Sequence, residues 1–325
     1  MVELNILEAV RDALDIELQN DPSVYLMGED IGPNGGVFRA TEGLQEKYGA
    51  HRVMDTPLNE SGIVGFAIGM ALRGAKAVPE IQFVDFIYPA FDQIVSELAK
   101  FRYRSGGEFT TNVTIRSPYG GGVRGAHYHS QSPEALFAHT PGLKVVIPSN
   151  PYDAKGLLIS SIRDNNPVIF LEPKRIYRAF KQEIPEEDYT VPLEKANIVR
   201  NGDDITLVSY GSMLQNTLEA AEIASNELSI NCEVIDLRTI SPYDSQTIIS
   251  SVKKTGRFIS VTESPKTAGF GAELSALIGE KTIDSMEAPI MRVTGYDVPF
   301  PFILEHDYLP SADRILSAID TIWEY

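Results

Sequence analysis

The chain has 325 residues, of which 43% are hydrophobic and 22% are charged, and its formal net charge is −17 at pH 7. This composition is that of a folded globular protein, which excludes extensive disorder, and the length predicts two domains. The negative charge would repel a phosphate backbone, and no basic cluster interleaved with aromatic residues offsets it, so nucleic acid is excluded as a partner.

The single cysteine, Cys232, can form neither an intrachain disulfide bond nor a thiolate metal cluster, which fits a reducing compartment. The N-terminal segment MVELNILEAVRDALDIEL predicts an amphipathic helix with acidic residues throughout, unlike a signal or transit peptide. No apolar run approaches the roughly 20 residues that span a bilayer. We therefore expect a cytoplasmic protein without a membrane partner.

From Leu4 to about Glu172, strand-like apolar runs alternate with helical segments. The runs are VYLMGED, AVPEIQFV, VTIRSP, LKVVIP and PVIFLE, and the helical segments include SGIVGFAIGMALRG and PYDAKGLLISSIRDN. Strands that alternate with helices in this way predict an α/β domain with a parallel sheet.

A stretch rich in charge and proline follows, from Pro173 to about Asp204, and we interpret it as the linker between the domains. The alternation then resumes with strands ITLVSYG, CEVIDLR, FISVTES and IMRVTG, separated by helical segments, and ends with a helix from Ser311. The sequence thus predicts a first domain over 1–190 and a second, smaller α/β domain over 191–325.

Gly120, Gly122 and Gly125 have the spacing of a dinucleotide-binding fingerprint and follow the strand VTIRSP. The fingerprint also needs a helix that begins directly afterwards, but AHYHSQSP intervenes, and it needs an acidic residue further on, but none lies between Leu136 and Tyr152. We reject a nicotinamide site and expect a flexible glycine loop beside a functional surface.

Three histidines follow this loop closely: His127, His129 and His139. They could bind zinc, but no carboxylate at a helical or strand offset completes the ligand set. A catalytic role for one of them or a structural role remains open beside the zinc alternative, because histidine also serves in proton transfer.

Glu60 stands at the start of an almost entirely apolar helix. It could cap the helix, which would stabilise it by about 1 kcal/mol, or be a carboxyl group used for proton transfer.

The same helix contains Gly62, Gly65 and Gly69, each of which costs roughly 1 kcal/mol inside a helix. We expect this cost to be offset by close packing of another helix, across a subunit boundary or in the core.

Nearly the whole chain resembles the beta subunits of the decarboxylase component of 2-oxo acid dehydrogenase complexes. The motifs that carry the resemblance are MGEDIG, DTPLNESGIVGFAIGMAL, EIQFVDFIYPAFDQIVSELAKFRYRSGG, HYHSQSPEALFAHTPGLKVVIPSNPYDAKGLL, VIDLRTISPYD, VTESPKTAGFGAEL and PFILEHDYLP. The resemblance implies an α/β fold in which a domain that binds the pyrimidine of thiamine diphosphate precedes a transketolase C-terminal-type domain.

The resemblance also implies an α2β2 heterotetramer. In it the alpha subunit holds Mg²⁺ and the diphosphate through a Gly-Asp-Gly segment followed by Asn-Asn. This chain has no Gly-Asp-Gly, and its Asn165-Asn166 pair has no such upstream partner. We therefore expect activity only with an alpha subunit.

Five residues match the family's site. Glu60 matches the glutamate that hydrogen-bonds a pyrimidine ring nitrogen and so favours the imino tautomer, whose exocyclic nitrogen removes the thiazolium proton. Phe86 matches an aromatic residue that stacks on the pyrimidine, where branched-chain members carry tyrosine. Gln82 and Leu58 match neighbouring pocket residues, and His129 matches a histidine suited to proton transfer while the acyl group passes to lipoamide.

Two further sites are implied by the resemblance. Some members bind a structural potassium ion, and the matching positions are Thr111, Val113, Ser161, Asp164 and Asn166. The family's C-terminal domain also binds the basic subunit-binding domain of the dihydrolipoyl acyltransferase. The candidates for that footprint are Glu280, Asp284, Glu287 and the terminal carboxylate of Tyr325.

The leading hypothesis is oxidative decarboxylation of a 2-oxo acid, and the segment HSQSPEA favours a branched-chain substrate. Pyruvate- and acetoin-specific relatives share much of the motif set and are the first alternative. A split transketolase or deoxyxylulose-phosphate synthase half is a second, although its histidine loop differs. A scaffold without chemistry is disfavoured because Glu60, Phe86 and His129 are all present.

Overall fold

The computed structural model describes all residues from Met1 to Tyr325. The chain forms two compact units. The first contains residues 1–119 and 136–193, and the second contains residues 120–135 and 194–325.

The first unit is built on a parallel sheet, which confirms the predicted α/β class. Its strands are β2 (Val24–Gly28), β3 (Val53–Asp55), β4 (Lys76–Glu80), β5 (Thr114–Tyr119), β6 (Lys144–Val146) and β7 (Val168–Pro173), following β1 (Val2–Leu4) in the chain. They lie side by side in the order β6-β7-β5-β4-β2-β3. β1 pairs instead with β8 (Gln182–Ile184) in a separate antiparallel ribbon.

The helices of this unit are α1 (Ile6–Asn20), α2 (Leu44–Tyr48), α3 (Glu60–Ala71), α4 (Phe101–Arg104), α5 (Glu134–Ala138), whose first two residues belong to the second unit, and α6 (Pro151–Arg163). α1 begins with a capping box, because the Asn5 side chain accepts from the Glu8 N–H and the Glu8 carboxylate accepts from the Asn5 N–H, both at 2.9 Å. Its apolar face is buried in the core together with residues of α6.

The segment predicted to be a linker is largely incorporated into the two units. Ile176, Tyr177, Ile184 and Val191 are buried in the core of the first unit. Residues 197–200 form β9 (Asn197–Arg200), an antiparallel edge strand of the second sheet. The prolines and charges of this stretch therefore lie in an exposed connection, around residues 186–188, and in an edge strand. Charged residues are common on edge strands.

The second unit repeats the α/β plan. Its strands are β9, β10 (Ile205–Ser209), β11 (Cys232–Asp236), β12 (Thr239–Ser241), β13 (Phe258–Pro265) and β14 (Met291–Gly295). Five of them form a sheet in the order β14-β13-β10-β11-β9. The helices are α7 (Met213–Ile223), α8 (Ser245–Thr255), α9 (Phe270–Lys281), α10 (Glu305–Tyr308) and α11 (Ala312–Trp323).

All of the predicted strands in both halves form, and the final helix begins directly after the Ser311 cap. None of the helices combines the length and the apolar character that crossing a membrane requires.

Candidate active site

Three neighbouring strands of the first unit end at one edge of the sheet, and the predicted site residues follow them. β2 pairs in parallel with β3 on one side and with β4 on the other. Leu58 and Glu60 come after β3, and Gln82 and Phe86 come after β4. The carboxyl edge of a parallel sheet is where ligands bind in such folds, so the strand order brings these residues to one place.

Glu60 is the first residue of α3, and the cap of that helix is its neighbour. The Asn59 side chain accepts a hydrogen bond from the Gly62 N–H at 3.0 Å. The capping role considered for Glu60 therefore belongs to Asn59, and the Glu60 carboxyl group stays available at the helix N-terminus, where negative charge is favoured.

The turn after β4 presents an aromatic ring beside the start of α3. Phe86 is the last residue of a 3-10 turn. Its ring stands edge-on to the Phe83 ring, with the ring centroids 5.7 Å apart. The Ser61 hydroxyl donates to the Pro89 carbonyl and so ties α3 to this segment. Leu58 is 71% exposed, which leaves an apolar side chain uncovered two residues before Glu60.

Sequence reasoning did not identify Glu29, which follows β2 directly. Burial raises the pKa of Glu29 above its usual range, and the negative charges of Asp30 and Glu60 raise it further. Glu29 therefore lies close enough to Glu60 for the two carboxyl groups to interact. Its position at the end of a buried apolar strand was the only signal in the sequence.

A buried ionic network lies directly behind Gln82. Arg116 on β5 binds Glu80 at 2.9 Å and Glu172 at 2.7 Å, and the Tyr177 hydroxyl donates to Glu172 at 2.5 Å. Burial raises the pKa of Glu80 even though Arg116 opposes the shift. The network joins β4, β5 and β7 and thereby fixes the backbone that leads into Gln82.

The glycine face of α3 is uncovered within the chain. Gly62, Gly65 and Gly69 are exposed, and an added Cβ at Gly65 or Gly69 would meet no atom within 4 Å. A groove of about 790 Å³ runs along this face, beside Phe66 and Met70. The alternative that these glycines pack in the chain's own core is therefore wrong.

His129 lies in the second unit, at the end of the glycine loop. Its Nδ1 is 3.3 Å from the Gly125 carbonyl oxygen. Because a carbonyl only accepts, a proton on Nδ1 would be donated to Gly125, which ties the imidazole to the loop. The His127 ring contacts the Tyr128 ring at a tilt of 47°, with the centroids 4.1 Å apart. No three His, Cys, Asp or Glu side chains are grouped to hold a metal ion.

The five candidate potassium ligands lie around the end of α6 and the start of β5. The Val113 N–H donates to the Thr111 carbonyl at 2.8 Å, and the Asp164 N–H donates to the Ser161 carbonyl at 3.3 Å. Against the effect of burial, Lys144 and Asn166 hold the pKa of Asp164 below its ordinary value. The Thr111 hydroxyl oxygen is buried without a hydrogen-bond partner.

The acidic candidates of the second unit all lie at its surface. Glu280, Asp284, Glu287 and Tyr325 are exposed. Glu287 forms an ion pair with Arg257 at 2.6 Å, and the Arg257 guanidinium also lies over the Trp323 ring. Arg257 therefore partly neutralises one of these four acidic candidates.

Two protein-family models match the chain, one over each half. The transketolase pyrimidine-binding domain matches residues 2–179, and the transketolase C-terminal domain matches residues 194–315. One similar solved structure is a chain described as "Split gene transketolase, inactive beta4 tetramer", with a TM-score of 0.79 and 21% identity, covering 99% of this chain and 98% of that chain. At that identity the likeness shows the fold alone.

Curated relatives are similar over almost the full length. The chain is 56% identical to the mitochondrial 2-oxoisovalerate dehydrogenase subunit beta of Dictyostelium discoideum, over 95% of this chain and 83% of the relative. It is 53% identical to the mitochondrial 2-oxoisovalerate dehydrogenase subunit beta 2 of Arabidopsis thaliana, over 99% and 90%. It is 51% identical to the pyruvate dehydrogenase E1 component subunit beta of Bacillus subtilis (strain 168), over 100% of both.

Proposed function

The chain belongs to the family of 2-oxo acid dehydrogenase beta subunits, and we propose that it forms, with an alpha subunit, the enzyme that oxidatively decarboxylates a branched-chain 2-oxo acid and passes the acyl group to lipoamide. The observation that carries the proposal is that Glu60 follows β3 and Gln82 and Phe86 follow β4, two parallel strands that flank β2 and end at the same edge of the first sheet. The members of this family are subunits of an oxidoreductase complex.

The residues at this edge fit the aminopyrimidine of thiamine diphosphate. A flat ring with nitrogen acceptors and an exocyclic amine needs an aromatic or apolar wall and a few polar groups, and the exposed Leu58, the Phe86 ring, the Gln82 amide and the Glu60 carboxyl supply them. When bound, the cofactor supplies the carbanion chemistry of the reaction. Glu60 would hold a proton against a ring nitrogen, and Phe86 would orient the ring.

The alpha subunit would bind the diphosphate and Mg²⁺, because this chain has no Gly-Asp-Gly segment. The uncovered glycine face of α3 supports a second chain here, since small residues allow another helix to approach closely. Replacing Gly65 with Leu should leave the chain folded but abolish copurification with the alpha subunit in an α2β2 assembly. Gly279 on α9 has equally open surroundings and provides the control, G279L, which should still assemble.

The relatives named for 2-oxoisovalerate and the segment HSQSPEA support a branched-chain substrate, while the Bacillus relative, named for pyruvate, makes pyruvate the second candidate. The test is carbon dioxide release from branched-chain 2-oxo acids and from pyruvate, by this chain alone and with its alpha subunit, with and without thiamine diphosphate. Release that needs both the partner and the cofactor supports the shared site, and the relative rates identify the substrate. No release from the assembled, cofactor-loaded pair would contradict the proposal.

The role of Glu60 has its own test in the assembled enzyme. Glu60→Gln keeps the size of the side chain but removes the acidic proton, so release should fall by about 100-fold or more with assembly intact. Glu46→Gln is the control, because Glu46 is an exposed carboxylate in the first turn of α2 in the same unit. Undiminished release by the Glu60 variant would remove Glu60 from the mechanism.

His129 would transfer a proton while the acyl group passes to lipoamide. The contact of its Nδ1 with the Gly125 carbonyl supports this role, because it holds the imidazole in one orientation at the end of the loop. His129→Ala should therefore slow acyl transfer to a lipoyl domain more than carbon dioxide release with an artificial electron acceptor. Equal losses in the two assays would contradict the assignment.

A structural potassium ion among Thr111, Val113, Ser161, Asp164 and Asn166 is supported by the unpartnered Thr111 oxygen and by the hardness of the surrounding oxygen donors. Thermal unfolding in potassium chloride should occur at a higher temperature than in choline chloride of equal ionic strength. Thr111→Val should reduce this difference. The same unfolding temperature in both salts would argue against the site.

The exposure of four acidic candidates in the second unit supports docking of the basic subunit-binding domain of the dihydrolipoyl acyltransferase, through Glu280, Asp284, Glu287 and the terminal carboxylate of Tyr325. The affinity should fall as ionic strength rises, and insensitivity to salt would exclude charge as the driving force.

We also propose a cytoplasmic location, which the lone buried cysteine supports. Recovery of the chain in an organelle fraction would contradict that location.

A further inference from the structure

The glycine loop before His129 has a backbone shape that few residues tolerate. Gly120 and Gly122 have φ values of 79° and 108°, and Arg124 has a φ of 52°. The loop is closed at its base because the Gly120 N–H donates to the Gln131 carbonyl at 2.9 Å. Such a shape persists only when neighbouring groups hold it in place.

Two buried carboxylates of the second unit hold this loop. Glu263, near the end of β13, accepts from the Gly121 N–H at 3.0 Å. Glu305, the first residue of α10, accepts from the Gly122 N–H at 3.2 Å with one oxygen and from the Arg124 N–H at 3.0 Å with the other. Hydrogen bonds from N–H groups to a buried carboxylate are among the stronger ones in proteins.

These carboxylates have no other charge partner. Glu263 and Glu305 are each 3% exposed, and neither forms an ion pair with lysine or arginine. The second Glu263 oxygen accepts from the Ser212 hydroxyl at 3.0 Å. Because burying an uncompensated carboxylate is costly, these groups depend on the loop N–H donors as much as the loop depends on them.

The two ends of the loop are closely packed, whereas residues 122–124 are exposed. An added Cβ at Gly120 would lie 2.4 Å from the Glu263 carboxylate, and one at Gly121 would lie 2.8 Å from the Phe300 ring. At the far end of the loop, an added Cβ at Gly125 would lie 2.4 Å from the His129 Cβ. The loop is therefore closely packed at Gly125, whose carbonyl contacts the His129 ring.

We propose that Glu263 and Glu305 are positioning residues, which clamp the loop 120–124 and thereby set the orientation of the His129 imidazole during acyl transfer. The proposal rests on the role of His129 in the proposed function. Glu305 has the larger part, because it binds two N–H groups and a glutamine there could satisfy only one of them.

The test uses the assembled, cofactor-loaded enzyme and the variants E305Q, H129A and the double variant. With a purified lipoyl domain, E305Q should lower the kcat of acyl transfer by about tenfold or more, with little change in KM. Carbon dioxide release with an artificial electron acceptor should change little. The double variant should be no slower than H129A alone, because both changes act through one side chain.

Each outcome separates the positioning role from the role of His129. If H129A transfers the acyl group at the wild-type rate, the assigned role of His129 fails and the positioning claim falls with it. If H129A is slow but the losses of the two single variants multiply in the double variant, only the positioning claim is overturned. The control is E219Q, an exposed glutamate on α7, which should transfer at the wild-type rate.

A second variant guards against failure of E305Q to fold. E263Q keeps the acceptor oxygen that Gly121 needs, so it should assemble, with a smaller loss of transfer rate than E305Q. Amide hydrogen exchange of residues 121–124 should be faster in each variant that assembles than in the wild type. Exchange at the wild-type rate together with slow transfer would overturn the clamp.

Discussion

Each unit of the chain buries a group of glutamates, and the two groups are stabilised differently. In the first unit, Arg116 lies between Glu80 and Glu172 and forms an ion pair with each. The Tyr177 hydroxyl adds a hydrogen bond to Glu172. One guanidinium thus serves two carboxylates in a site closed to water.

In the second unit the group consists of Glu134, Glu263 and Glu305, and none of these three forms an ion pair with a cation. Glu263 and Glu305 accept from backbone N–H groups of the loop 120–124, and Glu134 accepts from the Tyr210 hydroxyl at 2.9 Å. Burial raises the pKa of Glu134 to about 7, and the charge of Glu263 contributes to the rise. In this group the proton on Glu134 and the N–H dipoles of the loop 120–124 offset the cost of burying the carboxyl groups, as Arg116 does in the first unit.

The difference bears on what each group can do. An ion pair between buried side chains holds neighbouring strands together, which suits the fixed backbone that leads into Gln82. Hydrogen bonds from N–H groups hold backbone instead, which suits a loop whose one required property is its conformation. A carboxyl group that titrates near neutrality also makes the second group sensitive to pH.

The largest expected effect comes from removing the shared cation. Arg116→Met should lower the free energy of unfolding by about 3–5 kcal/mol, because two buried carboxylates lose their counter-charge. Arg104→Met is the matched control, since Arg104 forms an exposed ion pair with Glu97 at 2.9 Å, and it should cost about 1 kcal/mol or less. Urea unfolding of the three proteins measures both values. Similar losses for the two variants would show that burial adds nothing to the Arg116 pairs.

The next effect concerns the proton on Glu134. Its pKa is raised from 4.5 to about 7. Between these values the folded chain keeps a proton that the unfolded chain releases, so the free energy of unfolding falls as the pH rises through this window and levels off above about pH 7. The whole fall is about 3 kcal/mol for a shift of this size.

Glu134→Gln removes this titration, because an amide stays neutral at every pH. The unfolding free energy of the variant should therefore decline less than that of the wild type between about pH 5.5 and about pH 8, as the two urea series would show. Parallel curves for the two proteins would mean that Glu134 is already ionised at the lower pH.

The elements of both units could be predicted from the sequence because their patterns are local. The apolar run of β2 and the helix α3 each depend on residues a few positions apart. The meeting of Glu60 and Phe86 also follows from sequence once the strands are taken to be parallel, since parallel strands end at a shared edge. Their roles came from the resemblance and not from the pattern.

The partners of the glycine loop could not be predicted in this way. Gly121 and Glu263 are 142 residues apart, and Gly122 and Glu305 are 183 apart. No periodicity connects positions at such distances. Arg116 gave a weak signal, because an arginine within the apolar run VTIRSP must either break the strand or be buried with partners. Glu29 gave none beyond its position after a strand.

The smallest expected effect compares the two tyrosine hydroxyls. Tyr177 donates to Glu172, which is ion-paired to Arg116, and Tyr210 donates to Glu134, which is mostly protonated at about pH 6. Tyr177→Phe should therefore cost about 2 kcal/mol at that pH, and Tyr210→Phe about 1 kcal/mol, since hydrogen bonds to charged acceptors are stronger. At about pH 8 Glu134 is mostly ionised, so the cost of Tyr210→Phe should rise towards that of Tyr177→Phe. Urea unfolding at both pH values would measure this convergence, and a constant cost for Tyr210→Phe would show that its acceptor does not change charge.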